Sequence, residues 1–121
     1  MFKFSAWAKN NEIKRLNKDA PLIIKYTKET VRPEKVPEVA LLTRKHLDHA
    51  HSNFGTSEIG LKRTIDEYER LHKEARRQKD EISLTAFTLV LIYARSLNIG
   101  KDCSPAIKSI DSFISDYKQT R

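Results

Sequence analysis

Glycine is scarce in this chain, with three in 121 residues. That scarcity argues against turn-rich all-β folds and against Gly-rich phosphate loops. Gly55, Gly60 and Gly100 stand apart from one another, so none belongs to a phosphate-cradling motif. There is one cysteine, Cys103, which excludes an intramolecular disulfide and points to a reducing, cytoplasmic setting. Long apolar runs are missing as well. The longest charge-free stretch, 82–94, has 13 residues, against roughly 20 for a membrane-spanning helix, so it reads as a core helix. The first residues, MFKFSAWAKNNEIKR, lack the apolar centre of a secretory leader.

What is present is charge, unevenly placed. Lysine and arginine number 23 against 16 aspartates and glutamates, a net +7. Residues 1–45 carry 11 basic against 5 acidic residues, while 46–121 carry 12 against 11. The basic excess lies in the first third, on an otherwise charge-balanced body. Such a face attracts acidic proteins, nucleic acid or anionic membrane through long-range fields. An apolar share of 39% is globular, and the length suits one domain.

The hydrophobic spacing predicts helices. In 56–79, Leu61, Ile65, Tyr68, His72 and Ala75 form a stripe at steps of three and four. Ser57 is the expected N-cap, and Asp66/Arg70 and Glu69/Lys73 are expected solvent-side pairs. The segment 80–99 is apolar nearly all round, the pattern of a buried central helix. Its Thr, Val, Ile and Phe content leaves a strand over 84–93 as the alternative. Residues 56–99 read as one long helix or as two broken near Asp80. Ser104-Pro105 is a helix start, followed by an apolar stripe of Ile107, Ile110, Ile114 and Tyr117. Pro37 opens a helix to Ser52 with Val39, Leu42, His46, Leu47 and Ala50 inward. Asp19–Val31 is read as a helix capped by Asp19 with Pro21 in its first turn, with a strand as the alternative. Residues 32–37 form a linker. The expectation is an all-α bundle of four to five helices. Residues 1–36 form a basic N-terminal helical segment and linker, and 37–121 form the bundle body.

The chemical motifs are incomplete. His46, His49 and His51 with Asp48 invite a metal test, because neutral imidazoles bind Zn, Ni or Cu. Glu69-x-x-His72 has the spacing of a di-iron bundle ligand pair, but a second such pair is missing. Cys103 precedes a helix start with Lys101 and Asp102 beside it, and no histidine is close in sequence. Neither an inward carboxylate pair nor a nucleophile–base motif is recognisable. No cofactor and no small-molecule substrate is inferred. A helix-turn-helix across 47–65 fits poorly, with His51 where a small residue belongs and Thr56 where an apolar one does.

Phe2, Phe4 and Trp7 alternate with basic residues, but the segment is too short for a strong membrane signal. These aromatics are expected to dock on the protein's own core. The expected role is therefore non-enzymatic binding of an acidic protein partner, or self-association. The basic face consists of Lys14, Arg15, Lys18, Lys25, Lys28 and Arg32. The alternative is nucleic-acid binding by the same face, with Phe2, Phe4, Trp7 and Tyr26 stacking on bases. A second basic cluster, Lys73, Arg76, Arg77 and Lys79, closes the long stripe.

Overall fold

The computed structural model describes the backbone of residues 2–117 and the side chains of residues 7–117. Phe2 and Phe4 lie outside the described side chains. Five α-helices form a bundle: α1 Phe2–Thr30, α2 Val36–Phe54, α3 Glu58–Arg77, α4 Glu81–Ile99 and α5 Ser104–Asp116. Short 3₁₀ turns, Pro33–Lys35 and Lys101–Cys103, precede α2 and α5. No strand occurs among the described residues.

The α4 helix is the hub. It packs against α1, α2, α3 and α5, and it buries Ala86, Phe87, Leu89, Val90, Leu91, Ile92 and Ala94. By length and composition it is apolar enough to cross a membrane; here the surrounding helices take up much of that apolar surface. The strand alternative for 84–93 fails because the segment packs among four helices and no strand lies among the described residues to pair with it. Thr85 donates to the Glu81 carbonyl and Thr88 to that of Leu84, each at 2.8 Å.

Most of the N-terminal third is one continuous helix rather than a segment that restarts at Asp19. Asp19 does not start a helix, because α1 runs unbroken for 29 residues with Pro21 inside it. Proline removes one N–H and disfavours a helix interior. Packing overrides that preference: Leu16, Ala20, Ile24 and Thr27 are buried in the common core. Thr27 satisfies its hydroxyl on the Ile23 carbonyl at 2.7 Å, so this β-prone stretch remains helical.

The 56–99 segment is two helices. Lys79 adopts a left-handed φ of 58°, the Asp80 N–H donates to the Ala75 carbonyl and the Lys79 N–H to that of Arg76. This is a Schellman stop made without glycine. Asp80 then caps α4 by accepting from the Ser83 N–H at 3.1 Å. Ser57 caps α3 in the expected manner, accepting from Gly60. Gly60 is needed for another reason: a Cβ there would sit 2.2 Å from the Phe54 carbonyl oxygen.

The α5 start differs from expectation. Ser104 is the first helical residue, and its hydroxyl donates to the Lys101 carbonyl. The α5 amide of Ala106 instead donates to Asn17 Oδ1 of α1, 3.1 Å away. The buried stripe of α5 is Ala106, Ile110 and Phe113, while Ile107, Ile114 and Tyr117 are half-buried.

Candidate functional site: the basic outer face of α1

All six predicted basic residues are exposed, but they do not share one face. Trp7, Asn11, Lys14, Lys18, Leu22 and Lys25 recur at steps of three and four, which aligns them along the side of α1 opposite its buried residues. Trp7 is 61% exposed and Leu22 49%. Residues 7–11 are exposed over more than a full turn. The expected docking of the Trp7 ring on the core is therefore corrected, since most of its surface faces solvent. Tyr26, 64% exposed, lies beside the lysine line.

The other three cations diverge. Lys28 leans toward α5, its Nζ 5.9 Å from the centre of the Phe113 ring. Arg32 lies beyond the helix, and its Nε is 3.5 Å from Glu34 Oε2. Arg15 turns around the helix from the lysine line and lines a half-open cleft of about 630 Å³ between α1, α3 and α4. Lys73 and Arg76 of α3 and Arg95 of α4 line the same cleft. Thus the fold joins part of the second basic cluster to Arg15. That connection was not legible in the sequence, because 58 or more positions separate the residues.

The expected i,i+4 pairs are replaced. Arg70 pairs with Glu67 at 2.9 Å rather than with Asp66, and Glu69 pairs with Arg95 across the cleft rather than with Lys73. His72 stands beside that pair, with Nε2 3.0 Å from Thr88 Oγ1. The Thr88 hydroxyl hydrogen is committed to Leu84, so Thr88 accepts and His72 Nε2 donates. Burial pushes the His72 pKa down, and the positive charges of Arg76 and Arg95 push it further.

The histidine cluster of α2 separates into different environments. His46 Nδ1 lies 2.8 Å from the Tyr68 hydroxyl, which also donates to the His46 carbonyl at 3.3 Å. Burial, with Lys45 and His49, lowers the His46 pKa, and burial pushes Tyr68 up to about 12. His49 Nε2 pairs with Asn53 Nδ2 at 2.9 Å, and Asp48 pairs with Arg44 at 3.8 Å. The His51 ring tilts against Tyr93 at 6.2 Å. Among the described residues no group of three or more His, Cys, Asp or Glu is placed to hold a metal ion. Cys103 is fully buried, and burial pushes its thiol pKa up, the opposite of what an activated nucleophile needs.

The class these features define is a small five-helix bundle with a basic outer helix. No protein-family model, curated protein or solved structure matches the chain.

Proposed function

We propose that the chain is a non-enzymatic binding protein that engages an acidic macromolecular partner through the outer face of α1. The observation that carries this reading is the exposed line of Lys14, Lys18 and Lys25, with Trp7 and Leu22 on the same side. Lys28 extends the positive field past the end of the line and Arg15 extends it along the flank, whereas Arg32 is paired with Glu34. Charge supplies attraction and orientation; the exposed indole and leucine supply apolar area that lysines alone lack. An acidic protein surface with an apolar centre matches both. Self-association rests on less, since among the described residues the large exposed aliphatics are Leu22 and Ile59, which sit on different helices. With its single cysteine buried, the protein suits a reducing compartment such as the cytoplasm.

A second reading, nucleic-acid binding, draws on Trp7 and Tyr26, whose rings are exposed beside cations and suit base stacking. Trp7 is the sole tryptophan, so its fluorescence reports directly on this face. The test titrates the protein with a poly-glutamate peptide and with a mixed-sequence single-stranded oligonucleotide, at low and moderate salt. Saturable peptide binding that vanishes in the Lys14→Glu/Lys18→Glu/Lys25→Glu variant, with helicity unchanged, supports the acidic-protein reading. Preferential oligonucleotide binding that quenches Trp7 and falls steeply with salt moves nucleic acid to first place. Failure of both ligands at low salt rejects the basic-face reading, because screening is weakest there.

A further inference from the structure

We infer that the cleft between α1, α3 and α4 is a binding site for a small organic monoanion with an apolar body, separate from the lysine line of α1. Its volume, about 630 Å³, lies within the range of about 300–1,000 Å³ typical of small-molecule sites. The wall chemistry selects the ligand class. Leu16, Ile23, Leu91 and Ile92 provide an apolar lining from α1 and α4. Around it stand Arg15, Lys73, Arg76 and Arg95, against the carboxylates Glu12, Asp19 and Glu69.

Pairing within the cleft is incomplete. Arg95 and Glu69 neutralise each other. Among the described residues, Arg15, Lys73 and Arg76 have no ion-pair partner, and neither have Glu12 and Asp19. The walls therefore carry one excess positive charge, and their free cations come from both sides of the cleft. A monoanion balances that excess, and a guanidinium offers two parallel N–H donors to a carboxylate or sulfonate. The same field acts on His72: burial lowers its pKa most, and Arg76 and Arg95 further oppose its protonation. An anion seated between them reduces that opposition and raises the pKa of His72. By reciprocity the same anion binds more tightly once His72 is protonated.

The test uses the full chain and three probes: naphthalene-2-sulfonate, the uncharged 2-naphthalenemethanol, and inorganic sulfate. Binding is followed by amide chemical shifts, with the His72 ring titration recorded in the absence and presence of the sulfonate. Expected are saturable shifts at Arg15, His72, Thr88 and Arg95, with naphthalenesulfonate binding at least about tenfold more tightly than either control probe. The His72 pKa rises on saturation. Arg15→Ala/Arg76→Ala, two exposed positions whose replacement leaves the core intact, weakens binding by about tenfold or more. Lys14→Ala/Lys18→Ala leaves it unchanged. Equal binding of the neutral probe or of sulfate overturns the inference. So do shifts confined to the outer face of α1, an unmoved His72 titration, or full affinity in the arginine variant.

Discussion

Asn17 makes two hydrogen bonds to a chain segment more than 80 residues away. Its Nδ2 donates to the Asp102 carbonyl at 3.0 Å, and its Oδ1 accepts from the Ala106 amide at 3.1 Å. The side chain thus does for α5 what an N-cap residue does locally, and it ties α1 to the start of the last helix. Asn17→Ala should cost about 1–2 kcal/mol, read as a lower urea midpoint with an unchanged slope. Asn17 showed no sequence signal as a cap because capping rules look only a few positions ahead. The histidines make a second prediction. The folded state holds the pKa values of His46 and His72 below their ordinary value of 6.5. The unfolded chain therefore binds more protons once the pH falls below about 6.5. The stability from keeping these rings neutral is complete above that pH and is lost as the pH falls toward their depressed folded values. Urea midpoints at about pH 7.5 and about pH 5 should differ, and His46→Gln/His72→Gln should flatten the difference.

The break between α3 and α4 is decided over three residues, Gln78 to Asp80. Lys79 occupies the left-handed region, where glycine is the residue at ease. Lys79→Gly should stabilise the protein by up to about 1 kcal/mol, the relief of left-handed strain outweighing the added freedom of the unfolded chain. Thermal melting at constant pH checks this, and a lower midpoint refutes the strain argument. The sequence left one helix or two undecided here because its usual stop residue is absent. The α1 helix presents the converse case. Pro21 and the Asp19 capping signal both suggested a new helix, yet Leu16, Ala20, Ile24 and Thr27 lie on one buried face spanning both residues. Burial of that face outweighs a single missing N–H.

At the scale of the whole molecule, α1 is both a wall of the core and the carrier of the basic face. Its inner residues join a single hydrophobic cluster that also holds Val90, Ile110 and Phe113. A chain beginning at residue 32 should lose its cooperative thermal transition, since α4 and α5 would each expose an apolar side. A retained sharp transition would show that the remaining four helices form a complete core. The charge reversal at Lys14, Lys18 and Lys25, by contrast, touches only the exposed side and should leave melting nearly unchanged.

Local information determined the helical class, the places of α2 and α5 and the Ser57 cap that starts α3, because helix periodicity and capping act over three or four residues; it left the break between α3 and α4 open. It also located the basic excess in the first third. Tertiary structure decided which cations share a surface: Lys14, Lys18 and Lys25 remain on the outer face, while Arg15 joins Lys73, Arg76 and Arg95 around the cleft. It also decided that Asn17 caps a distant helix and that the three α2 histidines occupy separate environments. These outcomes depend on which helix faces meet, and that is settled by how the apolar stripes bury one another across the bundle rather than along the chain.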